Sequence, residues 1–492
     1  MNYQSTRGAR FAGPAEAILK GIAEDGGLYV DPALGERPFD WRGALALSPL
    51  ALQSRILAQL LPGIGDMDAL VRASYDGKFD SEALTPLVSV GGDYVLELFR
   101  GPTAAFKDVA LSVLPRLVTA AKAQLGETGK TVVLTATSGD TGKAALEGFR
   151  DVPGTQIFVF YPHGGVSKIQ RAQMVTQEGA NVTVCAVRGN FDDCQSGVKK
   201  AFAALSGSET LRARGLSLTS ANSINIGRLA PQLVYYFLAY AALVREGRIA
   251  AGDAVDYVVP TGNFGDILAG WMAKKLGLPV GKLVCASNAN RVLTDFFETG
   301  IYDRRRAFYK TESPSMDILV SSNLERLLFY VSGGDAALVS RCMEGLAREG
   351  FYRFPEELMS LLREDFAAFC CGDAEGAEEI ARLWREEGYL CDPHTAVASA
   401  AARSYKRGRS GGAPVVILST ASPYKFSAAV LSALGADAAG DEFDRMDALA
   451  RLTGVPVPAN LALLRGKKAL HNDVIGIDEM IPYIEKKLTE GV

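Results

Sequence analysis

The sequence predicts an α/β protein with two open, parallel-rich sheets flanked by helices. Short apolar runs alternate with stretches of helical spacing in two parts of the chain. The runs lie at residues 131–137, 156–161, 181–187, 216–220, 256–260, 282–287 and 415–419. Such alternation is typical of parallel sheets covered by helices. Two α/β layers that share a cleft are therefore the expected architecture.

Other elements follow from local signals. A strand is predicted at residues 94–99, a short run of apolar and β-branched residues. Residues 108–125 have helical spacing, but Pro115 lacks the N–H of a continuous helix, so we expect a kink or interruption. Residues 228–245 are predicted to form one long amphipathic helix, and the charged residues 332–387 to form outer helices. Further helices are predicted at 44–61, 142–149, 167–178 and 267–276.

The length of 492 residues predicts a chain of several domains. Residues 1–85 look helical and loop-like and are expected to form an N-terminal domain. Residues 86–435 are expected to hold the two α/β layers, with a smaller subdomain at about 105–221. Residues 436–492 are expected to be helices that complete the larger subdomain.

The composition excludes several classes of function. The 52 basic and 56 acidic residues give a net charge of −4, which lacks the basic surplus of a nucleic-acid-binding protein. The seven cysteines form no CxxC pair and only three histidines occur, so we expect no metal site. No apolar run approaches the ~18 residues of a membrane span, and no apolar signal region opens the chain. We therefore expect a cytoplasmic protein that binds neither nucleic acid nor membranes.

A lysine lies where a turn meets the start of a helix, in the segment GPTAAFKD at residues 101–108. The helix N-terminus carries partial positive charge, which disfavours an ammonium group, and burial acts in the same direction. One interpretation of Lys107 is a neutral amine nucleophile. The other is a surface lysine, which is the commoner outcome for a motif judged alone.

Two glycine-containing turns each follow a strand and open a helix. They are SGDTG at residues 138–142 and GNFGD at residues 262–266. Small residues there allow backbone N–H groups to face an anion. The alternative for each is a structural turn or an ordinary N-cap. The second turn is not GxGxxG, so a dinucleotide fingerprint is absent.

Hydroxyl side chains at Ser419 and Thr420 end the apolar run VVIL. Residues in that position point toward the usual ligand crevice of an open α/β sheet, although capping is their commoner role. A third motif, Gly129-Lys130-Thr131, resembles the tail of a P-loop. Gln124 stands where its first glycine is required and Lys130 precedes the strand, so a P-loop nucleotide site is excluded.

Together these segments resemble fold type II pyridoxal-phosphate enzymes, and among them the threonine synthase family. The resemblance covers nearly the whole chain. Its further segments are YQSTRG at 3–8, EDGGLYV at 24–30, NSIN-x-x-R-x-x-x-Q at 222–232, SMDI at 315–318, SSN at 321–323 and DPHTA at 392–396. One departure is Asp266, where many relatives of the wider fold carry Asn. An ionised carboxylate cannot donate a hydrogen bond to phosphate, so the backbone N–H groups of this loop would make most of the phosphate contact.

The resemblance implies an enzyme that converts O-phospho-L-homoserine and water to L-threonine and phosphate, with pyridoxal phosphate as cofactor. It implies that Lys107 forms the Schiff base with the cofactor and shuttles protons. The implied cofactor contacts are Lys107, Phe106, Gly262, Asn263, Phe264, Gly265, Asp266 and Thr420, with Ser419 as the weaker choice for the pyridine nitrogen. The implied substrate contacts are Ser138, Asp140, Thr141, Asn222, Ser223 and Arg228.

Several alternatives stay open on the sequence. A serine/threonine dehydratase-like enzyme or another phospholyase would share the fold, and a catalytically inactive relative could bind metabolites. Phe106 is a cofactor contact or a core aromatic. His394 is a catalytic group or, more commonly, a hydrogen-bonded structural histidine, and the role of Asp108 is open. We expect a monomer or a homodimer.

Overall fold

The computed structural model describes residues 2–137, 139–205, 208–407 and 411–490. The strands in chain order are β1 Tyr3–Ser5, β2 Phe11–Ala12, β3 Tyr29–Val30, β4 Leu87–Val90, β5 Asp93–Glu97, β6 Lys130–Ala136, β7 Thr155–Pro162, β8 Val182–Val187, β9 Leu216–Thr219, β10 Val255–Pro260, β11 Val280–Ser287, β12 Ile301–Asp303, β13 Phe351–Arg353, β14 Phe366–Cys370, β15 Val415–Ser419 and β16 Val474–Ile475. The fold class predicted above is confirmed, because most of these strands lie in two parallel-rich sheets.

Helices cover both sheets. In chain order they are α1 Pro14–Lys20, α2 Trp41–Ala44, α3 Pro49–Leu60, α4 Met67–Tyr75, α5 Lys107–Leu111, α6 Leu114–Leu125, α7 Asp140–Phe149, α8 Lys168–Val175, α9 Phe191–Leu205, α10 Glu209–Ala213, α11 Ile226–Leu229, α12 Leu233–Arg245, α13 Gly265–Lys275, α14 Val292–Thr299, α15 Leu324–Val331, α16 Ala336–Arg348, α17 Glu356–Asp365, α18 Asp373–Glu387, α19 Pro393–Lys406, α20 Ser427–Ala433, α21 Glu442–Thr453, α22 Ala459–Ala462 and α23 Met480–Glu490. Short 3-10 turns lie at Ala230–Gln232, Pro314–Met316, Pro423–Phe426 and Ile477–Glu479. In the described part of the chain, no helix combines the length and the apolar character of a membrane span.

A six-stranded sheet has the order β14-β11-β10-β15-β5-β4. Its neighbours are parallel except at the edge, where β4 pairs antiparallel with β5. Every residue of the central strand β10 is buried, as expected for a parallel strand covered on both faces. At the carboxyl ends of β10 and β15 the chain enters two of the motifs singled out above, GNFGD and Ser419-Thr420.

A five-stranded sheet has the order β16-β8-β7-β6-β9, and all its pairs are parallel. The SGDTG motif follows the carboxyl end of β6, and α7 begins at its Asp140. In open α/β sheets, ligands bind beyond the carboxyl ends of the strands. The motifs at the carboxyl ends of the strands in the two sheets are therefore expected to line the two sides of one candidate site.

The expected interruption near Pro115 is confirmed. Helix α5 ends at Leu111, and α6 starts at Leu114 with the proline in its first turn, where its missing N–H is no loss. Gly126 then ends α6 in the left-handed conformation. The break separates α5, which begins with Lys107, from α6, which packs against the N-terminal helix α1.

Three elements differ from the sequence prediction. Residues 1–85 contain helices and loops as expected, but β1, β2 and β3 also form a small antiparallel sheet. The expected helix at 228–245 is divided into α11, a 3-10 turn at Pro231 and α12, and α12 is buried almost all round. Within the expected outer helices, β14 pairs with β11 inside the six-stranded sheet. Strands this short give too little periodicity to be distinguished from helix or loop.

The C-terminal segment serves both sheets. Helices α21 and α22 join the core cluster that covers α19 and β15. Strand β16 instead pairs with β8, and α23 packs on α9 through Met480 and Ile484. The sequence predicts that residues 436–492 are helices that complete the larger unit, and α21 and α22 pack there, whereas β16 and α23 pack on the five-stranded sheet. A two-residue strand that pairs with β8 far back in the chain leaves no local signal.

Replacing Ile484 by Ala is expected to lower the free energy of unfolding by about 2–5 kcal/mol, because the buried side chain leaves a cavity under the five-stranded sheet. Ile22 is 43% exposed, so Ile22→Ala is the matched control, with an expected change below about 0.5 kcal/mol. Urea unfolding followed by circular dichroism measures both. Equal shifts of the two midpoints would contradict the packing of α23 on this sheet.

Candidate active site

The segment that precedes Lys107 is fastened to the end of β15. The backbone N–H of Phe106 donates to the carbonyl of Thr420 at 2.9 Å, and that of Ser422 donates to the carbonyl of Ala104 at 3.1 Å. These antiparallel bonds join the GPTAAFKD motif to Ser419-Thr420. Two motifs that are far apart in the sequence thus share one wall of the cleft.

Asp108 holds the turn that presents the lysine. Its carboxylate accepts from the backbone N–H of Thr103 at 2.9 Å and from the Thr103 hydroxyl at 2.5 Å. Burial raises the pKa of Asp108 to about 6, although the bonds to Thr103 favour the ionised form. A Cβ at Gly101 would lie 2.5 Å from Asp108, so this turn requires glycine. This geometry favours a role for Asp108 in holding the backbone of the turn.

Lys107 opens α5 with 9% of its surface exposed. Its Nζ lies 4.0 Å from Asp140 Oδ2 and 4.4 Å from the centroid of the partly buried Phe106 ring. Burial lowers the pKa of Lys107 to about 8, and Arg228 and Lys425 act in the same direction while Asp140 opposes them. Near neutral pH this amine is therefore neutral, and available as a nucleophile, more often than an ordinary lysine.

A second lysine lies beside the first, and the sequence analysis missed it. Lys425 is 3% exposed, and its ammonium group donates to Asp140 Oδ1 and, at 3.2 Å, to the carbonyl of Thr103. Burial alone would raise the pKa of Asp140, but Lys425 and Lys107 hold it below its ordinary value. The pair is buried where two far-separated segments meet, so no local pattern marks it.

Asp140 stands at the start of α7, as the SGDTG motif predicted. Gln170 donates to its Oδ1 at 3.2 Å, whereas Oδ2 is buried without a hydrogen-bond partner among the described residues. Thr141 follows it with a partly buried side chain. Ser138, the remaining predicted residue of this loop, lies outside the described residues.

The GNFGD loop, residues 262–266, leaves its backbone donors free. The N–H groups from Gly262 to Asp266 find no acceptor in the described ranges. Phe264 adopts the left-handed conformation with φ of 62°, and its ring packs 6.1 Å from Phe297 and 5.9 Å from Phe366. A Cβ at Gly262 would lie 2.6 Å from the carbonyl of Ser315. The loop thus offers free backbone N–H groups, while the Phe264 side chain anchors it in the core.

The side chain of Asp266 is engaged with two tyrosines. Its Oδ1 accepts from the Tyr235 hydroxyl at 2.6 Å and from the Tyr236 hydroxyl at 3.0 Å. Burial raises the pKa of Asp266 to about 6, although both tyrosines favour the ionised form. The contact of Asp266 with a cofactor phosphate stays a prediction, and the tyrosines give this carboxylate a further role in joining α13 to α12.

The NSIN turn, residues 222–225, lies next to a buried arginine. Arg228 is 5% exposed and donates to the carbonyl of Ala221 at 2.8 Å, with no carboxylate of the described chain within ion-pair distance. Burial lowers its pKa to about 10. The side chains of Asn222 and Ser223 are partly buried and form no hydrogen bond within the described residues. A buried guanidinium that has no carboxylate partner, and that lies beside polar side chains without hydrogen bonds, is a suitable binding site for an anion.

His394 has both ring nitrogens occupied. Its Nδ1 lies 2.6 Å from Asp392 Oδ2, and its Nε2 accepts from the backbone N–H of Ser315 at 3.1 Å. The carbonyl of Ser315 is the group that abuts Gly262. This geometry favours the structural interpretation of His394, which holds the turn behind the GNFGD loop.

The two hydroxyls at the end of β15 differ in availability. Ser419 shares a hydrogen bond of 2.9 Å with the hydroxyl of Thr395. The hydroxyl of Thr420 has no hydrogen-bond partner in the part of the chain that the structure describes, and the residue is 6% exposed. Thr420 is therefore the better donor for a group in the cleft.

Comparison with known proteins gives the same family at every level. A family model described as pyridoxal-phosphate dependent enzyme matches residues 81–421, and a model of the threonine synthase C-terminal region matches residues 395–465. The threonine synthase of Pseudomonas aeruginosa is 41% identical over 439 residues, which cover 87% of this chain and 90% of the relative.

Solved structures agree in fold over the whole length. Threonine synthase from Brucella melitensis with bound pyridoxal phosphate has a TM-score of 0.87 at 38% identity, covering 100% of this chain and 99% of its own. Threonine synthase from yeast has a TM-score of 0.87 at 34% identity, covering 99% of both chains. The likeness therefore includes the N-terminal and C-terminal segments as well as the two sheets.

Replacing Lys425 by Met is expected to lower the free energy of unfolding by about 3–5 kcal/mol, because Asp140 loses its main partner in a buried place. Asp140→Asn should cost a comparable amount, since the Lys425 ammonium then remains buried. The double variant should lose less than the sum of the two. A double-mutant cycle measured by urea unfolding gives the coupling, and strictly additive effects would mean that the two groups do not act as a pair.

Proposed function

The chain belongs to the threonine synthase family of pyridoxal-phosphate-dependent lyases, and we propose that its substrate is O-phospho-L-homoserine, converted with water to L-threonine and phosphate. One observation carries the choice of substrate. The cleft has two separate places suited to an anion: the GNFGD loop and the buried Arg228 beside the NSIN turn. A phosphorylated cofactor occupies one place, and a phosphorylated substrate needs the other.

The residues of the cleft fit pyridoxal phosphate. We propose that the amine of Lys107 holds the aldehyde carbon, since its lowered pKa favours the neutral form that attacks a carbonyl. The free N–H groups of the GNFGD loop at the start of α13 suit the phosphate. The hydroxyl of Thr420 suits the pyridine nitrogen, and the Phe106 ring lies beside Lys107 Nζ.

The bound cofactor supplies an electron sink that acidifies the C–H bonds near the substrate amine. We assign to Lys107 Nζ the removal of the proton from the α-carbon of the substrate. Loss of a β-proton and of phosphate from the γ-carbon, protonation of the γ-carbon and addition of water at the β-carbon would follow, and Lys107 Nζ would then return a proton to the α-carbon. Asp140, 4.0 Å away, stabilises the ammonium form of Lys107 between these transfers. The neutral hydroxyl of Thr420 would donate to an unprotonated ring nitrogen, because a hydroxyl lacks the charge with which a carboxylate stabilises a protonated one.

The substrate phosphate is assigned to Arg228 with Asn222 and Ser223. A planar guanidinium can donate two parallel hydrogen bonds to a phosphate. Its surroundings hold no carboxylate that would compete, within the residues described. The same groups stabilise the phosphate as it departs. A serine/threonine dehydratase-like enzyme would share Lys107 and the GNFGD loop but would have no use for this second cation.

The enzyme is expected to release inorganic phosphate from O-phospho-L-homoserine with L-threonine as co-product. Phosphate is measured colorimetrically and threonine by chromatography, and the ratio should be one to one. Ammonia from L-threonine is assayed in parallel, and it should form far more slowly. Lys107→Ala should abolish both products. Ammonia production without phosphate release would overturn the substrate assignment in favour of a dehydratase.

Reconstitution of the cofactor-free enzyme with pyridoxal phosphate should be pH-dependent. The protonated Lys107 cannot attack the aldehyde, and its pKa is about 8. The rate should therefore rise with pH up to about that value and then level off. The visible absorbance band at roughly 410–420 nm reports the reaction. Asp140 raises the pKa of Lys107, so Asp140→Asn should move the levelling point to lower pH. A rate without pH dependence, or a shift to higher pH, would contradict the environment assigned to Lys107.

A further inference from the structure

Helix α15 begins where the two anion-binding segments of the cleft meet. Asn323, its N-cap residue, has no exposed surface. The Asn323 Nδ2 donates to the carbonyl of Ser223 at 3.2 Å and to the carbonyl of Asn263 at 3.0 Å, and its backbone N–H also donates to Asn263 at 3.0 Å. One amide group therefore joins the NSIN turn to the GNFGD loop.

Arg326, in the first turn of α15, fixes the orientation of that amide. It is 1% exposed and donates to Asn323 Oδ1, to the carbonyl of Ile224 and, at 3.0 Å, to the carbonyl of Tyr29. A guanidinium has only donors, so the oxygen of Asn323 must face it. The amide nitrogen of Asn323 must then face the two carbonyls of the loops.

The N-terminal segment, residues 2–85, also contacts the same helix at Glu325. Glu325 accepts from the Thr6 hydroxyl at 2.6 Å and from the Nε and Nη2 of Arg7, each at 2.8 Å. With the bond from Arg326 to Tyr29, strand β3 and the residues that directly follow β1 thus hold the start of α15. The small sheet is therefore part of the support of the cleft.

We propose that Asn323 is a positioning residue that sets the spacing between the cofactor-phosphate loop and the substrate-phosphate turn, held in place by Arg326 and the N-terminal segment. This inference rests on the proposed function, which assigns the substrate phosphate to the NSIN turn. The GNFGD loop has a second anchor in the buried Phe264 ring. The carbonyls of Ser223 and Ile224 are held by Asn323 and Arg326. Loosening α15 therefore affects the grip on the substrate phosphate more than the grip on the cofactor.

Asn323→Asp is the discriminating variant, because it keeps the oxygen that faces Arg326 and removes the donor to both loops. We expect KM for O-phospho-L-homoserine and the inhibition constant of inorganic phosphate to rise about tenfold or more. The value of kcat and the dissociation constant of pyridoxal phosphate should change less than about threefold. Ser332→Ala is the control at the opposite end of α15, where the hydroxyl donates to the carbonyl of Phe329 at 2.9 Å, and it should change none of these values by more than about twofold.

Arg7→Ala tests the same inference without entering the buried amide network, which guards against a variant that fails to fold. The Arg7 side chain is 29% exposed, and its loss frees one of the grips on Glu325. We expect the same selective rise in KM and in the phosphate inhibition constant, smaller than for Asn323→Asp. Arg10→Ala is its control, because the Arg10 side chain is 66% exposed and, among the described residues, has Glu24 at 3.7 Å as its one ion-pair partner.

The outcomes separate this inference from the function on which it rests. If the unaltered enzyme releases no phosphate from O-phospho-L-homoserine, the proposed function fails. If it does so but both variants leave KM and the phosphate inhibition constant unchanged, the positioning role of Asn323 is wrong. A fall in melting temperature alone, or an equal loss of cofactor and phosphate affinity, would also overturn the inference, because a merely structural residue gives those results.

Discussion

An excess of buried positive charge is the constraint on which the cleft depends. Arg228 and Lys425 lie close enough to Lys107 to lower its pKa, and Asp140 is the carboxylate that opposes them most strongly at this amine. Removing cations from water is costly unless partners replace the solvent. Carbonyl oxygens and one carboxylate replace part of it, and we propose that anionic ligands replace the rest. Ligand binding should therefore stabilise the folded enzyme as well as prepare it for reaction.

The buried arginines show how this excess is kept. Arg228 and Arg326 are both held by carbonyl oxygens and by no carboxylate within the described residues. A carbonyl orients a guanidinium without cancelling its charge, whereas an Asp or Glu would neutralise it. The positive potential of the cleft is thus preserved, which suits the proposed phosphate sites. Lys425 differs, because its pairing with Asp140 fixes a carboxylate beside Lys107, the amine to which we assign the proton transfers.

The groups assigned to the chemistry are positioned by polar contacts one layer behind them. Asp108 holds the turn that carries Lys107, and His394 holds the turn that abuts Gly262. Asn323 joins the two loops that would bind the phosphates. Each of these residues has its hydrogen-bonding atoms occupied by protein partners, which fits a supporting role. The N-terminal segment adds to this layer through Glu325 and Arg326.

Local pattern was enough to predict much of this molecule. Apolar runs separated by helical spacing gave the two parallel-rich sheets, and the turn residues marked the loops at their carboxyl ends. The interruption near Pro115 followed from the chemistry of proline alone. The short strands β14 and β16 could not be predicted, because each exists only through pairing with a distant strand.

By itself, the sequence determined which residues stand at the ends of strands and at the starts of helices, because backbone geometry and side-chain periodicity are local properties. Only the tertiary structure decided which polar groups share a buried place. Lys425 meets Asp140 across 285 positions of the chain, and Asn323 reaches Ser223 across 100. A side chain's charge state depends on desolvation and on its neighbours, and long-range packing sets both.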